Sequence, residues 1–377
     1  MNLDPPMKLM KTVFKVLLAI ILLAVLYLGG MIGYASLTDY DPPTTETVAI
    51  SGAATAPRAP DMLSLINWNI GYCGLGAESD FFYDGGKGVR TPKPLVQKNL
   101  EGILNQLDAL KPATDFFLLQ EVDLRSDRSS KVDQVAAISA RLGGYAQVFA
   151  ANYKVGFIPI PPENPMGGVH SGLATWSRYT PTEATRYSFQ GNYDWPTYLF
   201  FLDRCFLLER FPLAADGELV LINTHNSAYD DGSLKKAQLE QLSAVLRAEY
   251  EKGNYVIAGG DWNQFPPEYR GFEGIPTYNM AKPDPKYHVP DVYPAAGWHW
   301  AWDPAVPTNR SLKAVFDPAT TERGILDFYL LSPNVELIEV QTLDLGFAFS
   351  DHQPVQLQVR LLRPENLHEE DPVSTTE

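Results

Sequence analysis

Short apolar runs that close on acids, amides and histidines constrain this chain more than any other feature. Nine runs of five to eight residues read as strands: Leu63–Asn69, Phe116–Gln120, Gly172–Ser177, Arg204–Arg210, Leu219–Asn223, Tyr255–Gly259, Leu326–Leu331, Val335–Thr342 and Val355–Leu361. Three amphipathic stretches read as helices: Pro94–Leu110, Val132–Leu142 and Ser233–Lys252. In the last, Leu239, Leu242 and Leu246 share one face, and Gly253 stands where a left-handed cap closes a helix. Many strands with few helices predict sheets packed on each other and covered by helices. The 28 Gly and 30 Pro supply turns, and 45% apolar content suffices for a large core. No repeat and no second linker interrupts residues 62–362, so one domain is expected there.

A core strand does not need the residues that close these runs. Asn69 ends the first, Gln120 and Glu121 end the second, and His225 follows Leu221–Thr224. Asp261 and Asn263 follow Val256–Gly260, Asp327 enters another strand, and Ser350-Asp351-His352 precedes the last. Singly, such residues are usually turn or cap residues. Together they form one recipe: carboxylates and amides for a hard cation, histidines for proton transfer. Oxygen donors point to Mg²⁺, with Mn²⁺ or Ca²⁺ as alternatives. The chain has no Cys-x-x-Cys, His-Glu-x-x-His, Gly-x-Ser-x-Gly or P-loop, which sets aside structural zinc, zinc-protease, serine-elbow and P-loop chemistry.

Taken in order, Trp68-Asn69, Gln120-Glu121, His170-Ser171-Gly172, Thr224-His225, Gly260-Asp261-Trp262-Asn263, Leu326-Asp327 and Ser350-Asp351-His352 resemble the endonuclease/exonuclease/phosphatase superfamily. That superfamily includes pancreatic-type deoxyribonucleases, abasic-site endonucleases, inositol-polyphosphate phosphatases and bacterial sphingomyelinases. The resemblance spans about Leu63 to Leu361 and is specific for the superfamily, not for a substrate. It implies an α/β fold, a four-layer sandwich of two packed mixed sheets flanked by helices, with the site where loops of both sheets meet. By match of motif, Asn69 and Glu121 would hold the metal, and Asp351 would add a carboxylate for the metal or for a histidine. Asp261 and Asn263 would position the attacking water and the phosphate. His352, polarised by Asp327, would act as general base or phosphate-stabilising imidazolium, and His225 would contact the phosphate or assist the leaving group. A phosphodiester anion repels hydroxide, so a cation must neutralise charge while a base makes the nucleophile. His170 stands where abasic-site endonucleases carry Tyr; it either contacts phosphate or caps the turn after Gly167-Gly168.

The N-terminus is read as a membrane segment. Val16 to Thr38 carries no charge, long enough for the roughly 20 apolar residues that cross a hydrocarbon core. Lys8, Lys11 and Lys15 precede it and Asp39, Asp41 and Glu46 follow, which predicts a cytoplasmic N-terminus and an extracytoplasmic body. A cleaved signal is the competing reading, with Gly33 and Ala35 near a cut site. The expected organisation is a basic N-terminus over 1–15, an anchor over 16–38, a spacer over 39–61 and a polar tail over 363–377. Only Thr47–Ile50 in the spacer reads as a strand, and its length would free the domain from the bilayer. Of the two cysteines, Cys205 lies in an apolar run and reads as a buried thiol; pairing with Cys73 depends on geometry.

Charge bears on substrate. The chain carries −15, and three lysines against one aspartate in residues 1–38 leave −17 on the remainder. Such a body repels a phosphate polyanion, so no stable nucleic-acid complex is expected. Candidate contacts for a second phosphate or polar head are Lys87, in the loop Asp80–Lys87, and Arg125 and Arg128 just after Glu121; the alternative for each is a solvated loop. Trp298, Trp300 and Trp302 form either a buried edge or an interfacial platform. Two classes of function compete: a membrane-tethered, metal-dependent phosphoesterase, and a degenerate scaffold that binds without turnover. Every motif position holds the expected residue type, which favours the enzyme. A phospholipid head group or small phosphodiester is expected over a nuclease substrate.

Overall fold

The computed structural model describes residues 5–215, 217–278 and 286–363. The expected tail beyond Arg363 and the first four residues lie outside the described residues. Two seven-stranded mixed sheets face each other. One runs in the order Val335–Thr342, Val355–Leu361, Met62–Asn69, Phe116–Asp123, Gly167–Ser177, Ala146–Ile158, Ile50–Gly52. The other runs Thr45–Thr47, Glu183–Ser188, Cys205–Pro212, Glu218–His225, Tyr255–Asp261, Asp327–Leu331, His299–Ala301. Helices Lys93–Leu110 and Gln134–Arg141 cover the first sheet, and Ser233–Glu251 covers the second. The fold is the four-layer α/β sandwich that the resemblance implies, with an N-terminal apolar helix, Pro5–Leu37, outside it.

Side-chain alternation along each strand sorts the layers. In Met62–Asn69, Leu63 and Leu65 join the core between the sheets, while Ile66 and Trp68 pack under the helices. Phe116 and Leu118, Leu219 and Leu221, Tyr255 and Ile257, and Tyr329 and Leu331 likewise face between the sheets. Their even-spaced successors carry the polar set: Asn67 and Asn69, Gln120, Asn223 and His225, Asp261, and, on the antiparallel strand, Asp327. The inter-sheet layer is therefore apolar at one end and polar at the other.

Two of the longer strands escaped the sequence reading. Ala146–Ile158 mixes Ala, Asn, Tyr, Lys and Gly, so its alternation is weak, and Glu183–Ser188 is polar and held by pairing with Cys205–Pro212. The segment 39–61, expected as a spacer, instead adds an edge strand to each sheet: Thr45–Thr47 pairs with Glu183–Ser188, and Ile50–Gly52 pairs with Ala146–Ile158. The end of the apolar helix also meets the domain, for a Cβ on Gly156 would lie 2.9 Å from Tyr34 Oη. Cys73 and Cys205 are both buried free thiols. The three tryptophans form a packed edge, with Trp300 edge-on to Trp262 at 5.0 Å and stacked on Tyr293 at 5.5 Å.

One buried carboxyl stands apart from the polar end of the sandwich. Glu209 is 1% exposed, and neither carboxyl oxygen has a well-formed hydrogen bond among the described residues, with only the Thr175 hydroxyl near enough to favour its charge. Burial pushes this carboxyl up to about 8. A folded-state value above the unfolded one means that Glu209's contribution is fully favourable in acid and is lost as pH rises toward 8. Glu209→Gln, which mimics the protonated acid, raises Tm more at about pH 8 than at about pH 5. Calorimetric scans at the two pH values check this; an equal change at both would overturn it.

Candidate active site

The polar end of the inter-sheet layer is closed by buried amides. Gln120 Nε2 donates to Asn67 Oδ1 and to Asn223 Oδ1, both at 2.8 Å, and Asn67 Nδ2 donates to Gly260 O at 3.0 Å. Asn67 and Gln120 belong to one sheet and Asn223 and Gly260 to the other, so these bonds span the interface. Gly260 is required by the close approach: a Cβ there would lie 2.0 Å from Thr224 O.

Asp261 and the two histidines stand on this floor. Asp261 Oδ2 accepts from Asn69 Nδ2 at 3.0 Å and lies 3.4 Å from His225 Nε2 and 3.7 Å from His352 Nε2. Its Oδ1 accepts from the Asn263 backbone N–H at 2.9 Å, a turn that needs Asn263 in the left-handed region at φ 50°. Asn263 Nδ2 donates to Asn226 O at 2.9 Å. Asn and Asp tolerate that backbone better than other non-glycine residues. His352 arrives on the loop before the last strand, pinned by Trp68 Nε1 donating to its carbonyl at 3.0 Å.

Nδ1–H of His352 donates to Asp327 Oδ2 at 2.7 Å, and Asp327 is fully buried. Nε2 lies 3.0 Å from Asn309 Nδ2, whose amide is oriented by Tyr278 Oη donating to Asn309 Oδ1 at 2.6 Å. Burial disfavours charge on both rings, with opposite outcomes. At His352 the carboxylates of Asp327, Asp261 and Asp351 outweigh burial and hold it well above the usual imidazole range. At His225 burial dominates, reinforced by Arg204, His352 and Arg128, and holds it well below that range. Environments that push paired groups apart in this way divide acid from base roles.

Glu121 reaches the site by breaking the alternation. The pairing of Phe116–Asp123 with Gly167–Ser177 slips between Leu119 and Val122, and Glu121 adopts φ 54°. Such a bulge re-aims a side chain that the regular strand would send to the helix layer. Glu121 Oε1 accepts from Asn69 Nδ2 at 3.3 Å, and Oε2 lies 3.7 Å from Arg128 Nη1. Arg128 is itself committed to Asp123, at 3.2 and 2.9 Å, and stacks 3.9 Å over the Tyr72 ring. Burial, with Glu121's charge added, pushes the Asp351 carboxyl up to about 7 against the pull of His352. Glu121, Asp261 and Asp351 thus bring more negative charge than the neighbouring cations neutralise. With the Asn69 amide they form an oxygen set that suits a hard divalent cation. Ligating atoms of Asp261, Asp327 and His352 also lie within 4.8 Å of one another, but Asp327 and His352 are hydrogen-bonded to each other.

The structure brings Asn69, Glu121, His225, Asp261, Asn263, Asp327, Asp351 and His352 together, with Arg128 beside Glu121. It does not bring three others. His170 turns to the opposite face of its strand, 5.8 Å edge-on to Phe149, while Ser171 lines the site. Arg125 is exposed and pairs with Asp133 at 3.3 Å. Lys87 is exposed, and Phe81, Tyr83 and Asp84 of its loop line the site in its place. Loops wall the site into a cavity of about 480 Å³, with Tyr72, Tyr153, Tyr193, Phe201, Tyr229 and Arg204 in its lining. The sequence reading missed Asn309, Tyr278 and Arg204. The first two lie where no apolar run marks a strand; the signal for Arg204 is the charged pair Asp203-Arg204 directly before a buried strand.

The profile of the Endonuclease/Exonuclease/phosphatase family matches residues 66–352. No curated protein sequence matches the chain. Among solved structures, an endonuclease/exonuclease/phosphatase from Beutenbergia cavernae aligns at TM-score 0.52 and 16% identity, over 80% of this chain and 72% of that one. The human Nocturnin catalytic domain with bound sulfate aligns at TM-score 0.51 and 16% identity, over 83% and 97%. ANGEL2, described as a 2′,3′-cyclic phosphatase, aligns at TM-score 0.50 and 15% identity, over 83% and 98%. At this identity the structural likeness shows the fold; the profile match across most of the chain shows the family. The chain belongs to the endonuclease/exonuclease/phosphatase family, whose members are hydrolases of phosphoester bonds.

Proposed function

We propose that the protein is a membrane-anchored, divalent-metal-dependent phosphoesterase acting on a small phosphodiester or a phospholipid head group. The observation that carries the substrate class is the shape of the site: aromatic loops enclose it in a cavity of about 480 Å³. A duplex needs an open groove with cations along it, whereas this body carries −17 outside its first 38 residues. The anchor rests on Leu9–Leu37, a helix long and apolar enough to cross a membrane. Its last turns pack against the turn Thr197–Phe200, which leads directly into the lining residues Phe201, Leu202 and Arg204. Trp195, Phe157 and Ile160 are exposed in the adjoining segments, at 61%, 38% and 37%, and suit a lipid interface.

In this reading Asn69, Glu121 and Asp351 hold the cation, Mg²⁺ before Mn²⁺ or Ca²⁺. When bound, it neutralises phosphate charge and lowers the pKa of water. Asp261, between the two imidazoles, positions the attacking water, and Asn263 positions the phosphate. Water attacks phosphorus as the bond to the leaving oxygen breaks. Asp327 fixes the Nδ1–H form of His352, so Nε2 faces the reacting group, and His225 meets the leaving oxygen. Arg128 restrains Glu121.

Three outcomes follow. Purified domain with Mg²⁺ hydrolyses sphingomyelin or glycerophosphodiesters faster than it nicks plasmid at about physiological salt. EDTA abolishes turnover, and Glu121→Gln lowers it by roughly two orders of magnitude or more. Efficient plasmid nicking alone restores the nuclease reading, turnover in EDTA removes the metal, and no turnover on any phosphoester leaves a binding scaffold.

His352→Ala lowers kcat roughly 10²–10⁴-fold. Asp327→Asn moves the His352 limb of the pH–rate profile to lower pH, because loss of the carboxylate removes what raises that imidazole. Additive losses in the double variant would show that the two residues act separately. The full-length chain partitions with membranes and resists carbonate extraction; a soluble mature chain starting near Ser36 would identify a cleaved signal instead.

A further inference from the structure

The cavity lining carries donors that no described residue satisfies. Among the described residues lining it, Arg128 is bound to Asp123, Lys313 Nζ donates to Glu322 at 2.7 Å, and Lys235 Nζ lies 3.6 Å from Asp230. Arg310 donates through Nη2 to the carbonyls of Leu75, Gly76 and Ser79. Arg310 Nε and Arg204 Nη1 are both buried with no hydrogen-bond partner among the described residues, but Arg204 differs in that its guanidinium forms no ion pair or side-chain hydrogen bond with any of them. Two further donors on the same wall are in this state. Asn152 Nδ2 is buried without a partner on a residue only 2% exposed, and Tyr83 Oη is buried without one.

Local structure fixes where these residues stand. Asn152 is the extra residue where the pairing of Ala146–Ile158 with Gly167–Ser177 slips between Ala151 and Tyr153. Arg204 directly precedes Cys205–Pro212, so the edge of the second sheet fixes its backbone. Tyr83 is held by Phe82 at 4.2 Å and by Phe201 at 5.8 Å between ring centroids. A buried donor left unpaired costs about 1–3 kcal/mol, more when charged. Three of them on residues that line one cavity suit an acceptor-rich, negatively charged group, which side-chain rotation would let them meet.

We propose that Arg204, Asn152 and Tyr83 form a second anion subsite, which receives a phosphate or similar oxyanion of the substrate other than the one hydrolysed. This rests on the phosphoesterase reading for its role in turnover, though not for binding. The substrate then carries two anionic groups joined by a body that packs on Tyr193, Phe201 and Tyr229. The shared chemistry is that of a soluble bisphosphorylated ester and of a phosphorylated lipid head group.

Inorganic phosphate titrated calorimetrically into the full chain in detergent with EDTA tests the subsite without the metal or turnover. The wild type and Glu121→Gln bind it; Arg204→Gln and Asn152→Asp bind about tenfold more weakly or worse, with their thermal transitions confirming folding. Equal binding by wild type, Arg204→Gln and Asn152→Asp would overturn the proposal. With Mg²⁺, Arg204→Gln raises KM more for glycerophosphoinositol 4-phosphate than for bis(p-nitrophenyl) phosphate. Preference for the same head group as phosphatidylinositol 4-phosphate in phosphatidylcholine vesicles assigns a lipid source, and preference for the soluble ester a free one. An equal KM effect on the one- and two-anion substrates would refute the subsite. Absence of all turnover with phosphate binding intact would refute the phosphoesterase reading alone.

Discussion

The structure depends on the buried amide bonds that join its two sheets at one end. Gln120 is held by Asn67 on its own sheet and Asn223 on the other, and Asn67 reaches across to Gly260. Elsewhere the sheets meet through Leu, Ile, Val, Phe and Tyr, a contact that is strong and without direction. Hydrogen bonds between buried amides have direction, and leaving them unmade is costly. They set the register of one sheet on the other at the place where Asn69, Asp261 and His225 must stand within a few ångströms. A slip of one residue on any of these strands would send the whole polar set to the helix side.

Above that floor, charge is deliberately unbalanced. Glu121, Asp261, Asp327 and Asp351 converge, while Arg128 is already committed to Asp123. The imbalance explains why burial and neighbouring carboxylates drive Asp351 up and why those carboxylates hold His352 above the usual imidazole range, while burial, with Arg204, His352 and Arg128, holds His225 below it. A divalent cation relieves the repulsion among the carboxylates, and by the same token weakens their hold on His352. The left-handed backbone at Glu121 and Asn263 is the conformational cost of aiming these groups.

The same logic extends outward to the cavity wall. Carboxylates crowd the floor, and Arg204, Asn152 and Tyr83 in the lining carry donors without a described partner. Aromatic side chains from the segments 81–84, 193–201 and 229 line the space between them. The turn Thr197–Phe200 that carries part of this wall also meets the end of the apolar helix. Cavity and apolar helix therefore share one structural element.

Much of this was legible in the chain. Period and length marked most of the core strands and all three helices of the domain, because burial on a sheet face or a helix stripe imposes a pattern that composition alone cannot hide. Strand-end residues such as Asn69, Asp261 and Asp327 announced themselves by polarity where a core strand has none. Strands with weak contrast, Ala146–Ile158 and Glu183–Ser188, did not, since their partners rather than their own side chains hold them. His170, Arg125 and Lys87 lie as close in sequence to the motifs as Arg128 does, yet only Arg128 faces the site. Which side of a strand or loop a residue presents is decided by bulges and turns, and those by neighbours distant in sequence. The sequence by itself determined the layers, the family and the chemical types at the site. Only the tertiary structure decided that Glu121 turns inward, that Asn309 meets His352, and that the Arg204 guanidinium has no partner among the described residues, because each is a relation between segments that no local pattern encodes.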